Sequence, residues 1–508
     1  MNYKSTRSKD TKKSTFAVLH GLATDGGLYI PESLPETTFK YEEMKNMSYQ
    51  EISEKIIQLF FPELTNSDIK TAVNSAYNST TFTNEEIVPL HKLTKNISFG
   101  ELFHGRTLAF KDLALSLFPY LLLLSKEKEE EKRNILILTA TSGDTGKAAL
   151  EGFKDIPGIN IVVFYPKNGV SPMQEEQMRK QLGNNVKISA IHGNFDDAQS
   201  AIKNVFSDNS YAEYANNKGI MFSSANSINI GRLFPQVIYY VTTYINLIKN
   251  GTITENEEFN VVVPTGNFGN ILAAYVAKRL GIPIKKLISA SNKNDVLSDF
   301  FKTGKYDKKR DFYTTLSPSM DILLSSNFER FLYYVLGEDD SRISSLMTSL
   351  NTTGELSISK EELETINKNF YGEFADDDLT VSAIKNVFDS YGYLMDPHTA
   401  VGFAVYDKYV AETNDTTHSV IMSTAHPFKF PEPVAKALNV DNNKDPYSIL
   451  DEVSIIANIS FPEKLSEVRK SEIRFSDVIE KEEIGNYIKK YIDEISQYLR
   501  WLYVKSSI

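Results

Sequence analysis

A lysine, two glycine-rich loops and an arginine are the residues whose types and spacing could do chemistry. Lys111 sits near the end of the stretch Gly100–Asp112, where the polar turn His104-Gly105-Arg106-Thr107 runs into an apolar segment that begins at Leu108. An amine held against apolar surface loses part of the solvation that favours its charged form, and a neutral amine can attack a carbonyl. The same spacing also fits a surface ion pair with Asp112 near a helix start. Thr141-Ser142-Gly143-Asp144-Thr145-Gly146 and Thr265-Gly266-Asn267-Phe268-Gly269-Asn270 each follow an apolar run and precede a helical pattern. Backbone N–H groups at such a junction, with the positive end of a helix behind them, suit a phosphate. Asn226, Ser227, Asn229 and Arg232 form a third polar group, in which Arg232 could grip a phosphate with its planar fork. A capped helix with a surface arginine fits that spacing equally well. Neither glycine loop has the dinucleotide or the P-loop pattern. A reactive lysine with room for two phosphates suits pyridoxal phosphate better than a nucleotide, because no ribose-reading acidic residue is required.

These groups need a scaffold that brings loop ends together. From Asn134 onward the pattern alternates strand, loop and helix. Ile135–Leu138, Ile161–Tyr165, Val186–Ile188, Val261–Val263, Lys286–Ala290 and Ser419–Ser423 read as strands, and the apolar runs among them suit central parallel positions covered on both faces. Ser171, Pro172 and Gln174 mark a helix start. The expected fold is α/β, with open parallel sheets carrying helices on both faces. Ahead of it lies a small α-rich block, with a strand at Phe16–Leu19, helices around residues 40–63 and 68–77, and a short strand at Glu86–Leu90. Leu113–Leu124 reads as a buried helix that kinks or restarts at Pro119. Residues 300–380 carry weaker patterns, apart from the capping box at Ser359 and Glu362, and a helix is expected around Ile484–Val504.

Composition removes several function classes. Fifty-five lysines and arginines against 66 acidic residues give a net charge of −11, which argues against nucleic acid as a partner. Cysteine is absent, so no thiolate chemistry or disulfide is possible, and the seven histidines form no metal-binding pattern. The Leu113–Leu124 run is shorter than the about 20 residues a membrane span requires. Residues 1–13 are basic but no signal-type apolar segment follows, which makes the cytoplasm the expected compartment.

Taken in order, the motifs resemble the threonine synthase family of fold-type-II (tryptophan synthase β-like) pyridoxal-phosphate enzymes, in its longer bacterial and fungal form. The resemblance rests on Tyr3–Arg7, Asp25–Pro31, Glu101–Asp112, Thr141–Gly146, Asn226–Arg232, Pro264–Gly269, Ser317–Leu323, Ser325–Arg330, Leu394–Gly402 and Ser423–Pro427. It implies a chain that converts O-phospho-L-homoserine and water to L-threonine and phosphate, as a monomer or homodimer. It also implies an N-terminal domain at residues 1–95 and a catalytic region at 96–455 with a smaller subdomain near 133–225. A helical extension at 456–508 would follow. By the same resemblance Lys111 is the Schiff-base lysine and proton carrier. Gly266, Asn267, Phe268 and Gly269 hold the cofactor phosphate, and Thr424 faces the pyridine nitrogen. Ser142, Asp144, Thr145, Asn226, Ser227 and Arg232 surround the substrate, with Asp144 assigned to orientation or to the substrate amine.

His20, His192, His398 and His418 are expected to be structural, His104 and His426 to shape the pocket, and Asp321 with Ser325-Ser326 to form a lid or domain contact. Arg106 stands where the family normally has proline, and Lys147, Asn270 and Phe428 also depart from its pattern. An inward Arg106 would alter phosphate binding, whereas an outward one would leave the lysine loop intact. The competing readings are another fold-type-II lyase, such as a serine or threonine dehydratase, and a non-catalytic relative that binds phosphorylated metabolites.

Overall fold

The computed structural model describes residues 1–37 and 39–506. Its strands are β1 (Asn2–Ser5), β2 (Thr11–Lys13), β3 (Tyr29–Pro31), β4 (Leu90–Lys92), β5 (Ile97–Glu101), β6 (Asn134–Ala140), β7 (Ile159–Pro166) and β8 (Val186–His192). They continue with β9 (Ile220–Ser224), β10 (Phe259–Pro264), β11 (Ile284–Ser291), β12 (Lys305–Asp307), β13 (Glu355–Ser357), β14 (Phe370–Phe374), β15 (Ser419–Ser423) and β16 (Val478–Glu480). Two sheets dominate. The larger runs β14-β11-β10-β15-β5-β4, parallel throughout except for β4. The smaller runs β16-β8-β7-β6-β9 and is parallel throughout. Burial explains the arrangement. Ile135 to Ala140 of β6 and all of β10 are buried, so both faces of each strand must be covered, which parallel strands with crossover helices achieve.

The topology delivers the chemistry-bearing loops to one place. Thr141–Gly146 leaves the C-terminal end of β6, Asn226 follows β9, Pro264–Asn270 leaves β10, and Thr424 follows β15. The segment after β5 carries Lys111 to the start of the helix Lys111–Leu115. Loops at the C-terminal ends of parallel strands form the crevice in which open α/β sheets bind ligands. As Pro119 requires, the following apolar run is a separate helix, Phe118–Lys128, with the proline in its first turn.

The N-terminal block corrects the sequence reading. Phe16–Leu19 is not a strand but part of the helix Ser14–His20, which ends where Gly21 takes a φ of +74° and its N–H bonds the Ala17 carbonyl. Four apolar residues satisfy either conformation, and packing against the helix Phe118–Lys128 decides for the helix. The block is α-rich as expected and also carries an antiparallel sheet, β2-β1-β3. The strand expected at Glu86–Leu90 is displaced to β4, where Leu90 pairs with Gly100. At the other end of the chain, β16 extends the smaller sheet beside β8, and Ile484, Ile488 and Ile492 of the last helix pack on Ile191, Ala198 and Ile202. Among the described residues no helix is long and apolar enough to cross a membrane.

Candidate active site

Lys111 is held by its own turn. Thr107 donates its N–H at 2.8 Å and its hydroxyl at 2.7 Å to the two Asp112 oxygens, and Asp112 is 3% exposed. Asp112 is therefore spent on the turn, and the surface ion pair that the sequence also allowed does not form. The Lys111 side chain is 12% exposed, and its Nζ stands 3.7 Å from Asp144 Oδ2. Burial lowers the Lys111 pKa to about 8; Asp144 opposes the shift, while Lys429 and Arg232 add to it. Burial alone would raise Asp144, but Lys429 and Lys111 outweigh it and hold the carboxyl well below its usual range. The site thus pairs an amine poised to lose its proton with a permanent carboxylate.

A cleft opens over Lys111. The residues assigned to the cofactor and substrate all lie on its wall: Ser142, Asp144, Thr145, Asn226, Ser227, Arg232, Gly266, Asn267, Phe268, Gly269 and Thr424. The loop after β10 is shaped by Phe268, whose left-handed φ of +62° starts the helix Gly269–Arg279 while its ring stacks among Phe301, Phe328 and Phe331. Phe268 also lines the cleft. A Cβ on Gly266 would stand 3.0 Å from the Ser319 carbonyl, so the loop packs too closely there for a side chain. Ser325 Oγ donates to the Gly266 carbonyl at 2.8 Å, and Ser326 Oγ to Asn267 Oδ1 at 3.1 Å. The Ser325-Ser326 pair clamps this loop from outside. Thr424 is tied to the lysine turn, because the Phe110 N–H donates to its carbonyl at 2.8 Å.

Arg232 is 3% exposed, donates Nη1 to the Ala225 carbonyl at 2.9 Å, and has no partner for its Nε. Burial brings its pKa to about 10, which leaves it charged at neutral pH. Asn226 Nδ2 donates to the Ala140 carbonyl at 2.8 Å, and the Ser227 and Ser326 hydroxyls lie 2.8 Å apart. Asn229 is structural instead, since its amide bonds the Val18 and Ser224 carbonyls.

Other groups in and behind the cleft wall were given no site role by the sequence reading, among them His398, which was expected to be structural. His398 lines the cleft, with Nδ1 2.8 Å from Asp396 Oδ1 and Nε2 accepting the Ser319 N–H at 3.2 Å, an arrangement that fixes the ring as the Nδ1–H tautomer. Gln174 and Ser319 bond Asp144 at 2.9 and 3.1 Å. Lys429, fully buried, stands 2.6 Å from Asp144 Oδ1. A lysine between two phenylalanines after the His426-Pro427 turn was the one signal available. His104 and His426, expected to shape the pocket, are absent from its wall: His104 pairs with Glu101 at 2.8 Å. Burial, with His104 and Lys429 adding, lowers His426 to about 3. Arg106 points away from Lys111, into a polar groove with Tyr120, Lys147 and Glu151, with a long bond to the Thr80 carbonyl. Asp321 anchors its own loop through Asn292, Asn294 and Thr315.

The donor set fits phosphate-bearing ligands, a cofactor and a substrate. Arg232 Nε and Asn270 Nδ2 are buried without a protein partner, and both residues face the cleft. Tyr239 and Tyr240 both donate to Asn270 Oδ1, which turns the free amide protons away from them. Orphaned donors of this kind cost free energy unless a ligand meets them.

Comparison with known proteins places these features in context. Residues 2–77 match the family model described as threonine synthase N terminus, residues 81–424 that of pyridoxal-phosphate dependent enzymes, and residues 399–488 threonine synthase, C-terminal. Threonine synthase of Saccharomyces cerevisiae is 36% identical over 96% of this chain and 97% of its own. That of Pseudomonas aeruginosa is 38% identical over 86% and 90%. The crystal structure of pyridoxal-phosphate-bound threonine synthase from Brucella melitensis superposes with a TM-score of 0.85 at 35% identity, covering 98% of this chain and 99% of that one.

Proposed function

This chain belongs to the threonine synthase family of pyridoxal-phosphate-dependent enzymes, and on that premise we propose that its cleft holds O-phospho-L-homoserine between Lys111 and Arg232. The overall change is the substrate plus water to L-threonine plus phosphate. Lys111 would hold the cofactor, the N–H groups of Gly266 to Gly269 would surround its phosphate, and the Thr424 hydroxyl would face its ring nitrogen. Once bound, the cofactor supplies an electron-accepting ring that stabilises negative charge at the substrate α carbon.

The chain's own residues supply binding and proton transfer. With a pKa of about 8, the Lys111 amine can accept a proton from substrate carbon and return it near neutral pH. Asp144, 3.7 Å away, stabilises the ammonium that results without gripping it. Arg232 meets the substrate phosphate with its free Nε–H, and a buried guanidinium strengthens its hold as charge gathers on the departing group. Asn226, Ser227, Ser142 and Thr145 add neutral donors and acceptors. Phe110 and Met320 give the wall its apolar portion and keep bulk water from the amine.

The reading is carried by a buried lysine and an arginine with an unpartnered Nε on one cleft wall. It separates a threonine synthase from a dehydratase, which holds the cofactor phosphate but has no substrate phosphate to grip. Loaded with pyridoxal phosphate, the protein should turn over O-phospho-L-homoserine at least about 100-fold better, in kcat/KM, than L-serine or L-threonine. Arg232→Ala should cut that kcat/KM by about 10²–10³-fold and leave cofactor affinity nearly unchanged. Preference for the unphosphorylated amino acids, or equal loss of cofactor and substrate binding in the variant, would overturn the assignment.

A further inference from the structure

Lys429 is the buried cation nearest the site that the reaction as described does not use. It closes the short turn Pro427–Lys429 beyond β15 and is fully buried. Its Nζ makes two contacts of different kinds. One is to Asp144 Oδ1 at 2.6 Å; the other donates to the Thr107 carbonyl at 2.8 Å, in the turn that carries Lys111. Lys429 therefore bridges the carboxylate beside Lys111 and the backbone behind it.

The partition of Asp144 gives this bridge a consequence. Oδ1 receives Lys429 and Gln174 Nε2, the latter at 2.9 Å. Oδ2 receives Ser319 Oγ at 3.1 Å and has Lys111 only at 3.7 Å. The carboxylate is drawn toward Lys429, and what is left for Lys111 is a long contact. We infer that Lys429 is a positioning residue: by engaging Asp144 on one oxygen and the lysine turn through Thr107, it keeps Asp144 from locking Lys111 as a tightly paired ammonium, so that the amine is free to react. The inference rests on Lys111 being the amine that holds the cofactor.

The charged surroundings are few. Asp144, Lys429 and Arg232 act on Lys111; Lys429 and Lys111 act on Asp144, which the neutral His398 ring also faces. Lys429 also faces Asp112 and Lys147 of the two helices that start beside it, and the His426 ring of its own turn. Without Lys429, Lys111 becomes the nearest cation to a buried carboxylate, and pairing then favours its protonated form. The lost cation and the strengthened pair act in the same direction, toward a higher pH for amine reactivity.

The test uses the full chain freed of cofactor. Two readouts follow pH: the absorbance change as Lys111 combines with added pyridoxal phosphate, and the extent of Lys111 acetylation by acetic anhydride, read by peptide mass spectrometry. In Lys429→Met and in Lys429→Gln, which keeps a donor but loses the charge, both midpoints should rise by about one pH unit. Lys429→Arg should stay near the unaltered chain, and adding Asp144→Asn to Lys429→Met should bring the midpoint back down. Unchanged midpoints in folded Met and Gln variants would overturn the inference. So would failure of both to fold, which would make Lys429 a core residue only. If the unaltered chain folds but its Lys111 combines with no cofactor, the assignment of Lys111 falls and this inference with it.

Discussion

Arg106 shows how a residue beside reactive machinery can be irrelevant to it. It lies five positions from Lys111, where the resemblance leads one to expect proline, yet its head turns outward to the Thr80 carbonyl and toward Glu151. Lys147, another departure, ends on the same Glu151 and on Gln181, so both unusual cations serve one polar cluster behind the lysine turn. Because Thr107 and Asp112 hold the turn without Arg106, Arg106→Pro should leave kcat/KM for O-phospho-L-homoserine within about threefold and shift stability by no more than about 1 kcal/mol. A loss above about tenfold, measured by phosphate release, would place Arg106 in the site after all. At this scale much was legible. Lys111 and Arg232 stand at apolar-to-polar junctions, and such junctions can be read from residue order. Lys429 was not legible, because its importance comes from Asp144, 285 positions away in the chain and brought close only by the packing of one sheet's loops against the other's.

The strands and their loops form the next scale. β6 and β10 could be recognised as unbroken apolar runs, and their glycine loops fell into place at the strand ends. β14 and β16 could not, since edge strands bury less and alternate weakly; β16 is only three residues long and mostly exposed. The helix Ser14–His20 was misread for the reason that a run of four apolar residues has no period of its own. The loop after β6 offers a direct check on how an element positions a side chain. Gly143 has a φ of +134°, and a Cβ there would stand 2.4 Å from the side chain of Gln174, which bonds Asp144. Gly143→Ala should therefore cost about 1–3 kcal/mol of stability, seen as a lower unfolding midpoint in denaturant, and loosen Asp144 enough to reduce kcat at least about tenfold. A variant with unaltered stability and rate would show that this loop does not hold Asp144 in place.

At the scale of the whole molecule, the N-terminal block is part of the site's support. Arg7 grips Glu329 through two bonds of 2.8 and 2.7 Å, and Thr6 bonds the same carboxylate. The neighbouring Arg330, fully buried, donates to the Tyr29, Ser227 and Ile228 carbonyls and to Asn327 Oδ1. One pair of adjacent residues thus ties the first strands of the chain to the Ser227 segment and to the clamp over the loop after β10. Motifs far apart in sequence, Tyr3–Arg7, Asp25–Pro31 and Ser325–Arg330, are parts of a single junction, which explains why they occur together. The central claim concerns what all of this holds in place. The most direct measurement follows L-threonine and phosphate together, from O-phospho-L-homoserine, with the pyridoxal-phosphate-loaded chain and with Lys111→Ala. The account predicts the two products in equal amounts from the unaltered chain and neither from the variant; phosphate without threonine, or undiminished threonine from Lys111→Ala, would contradict it.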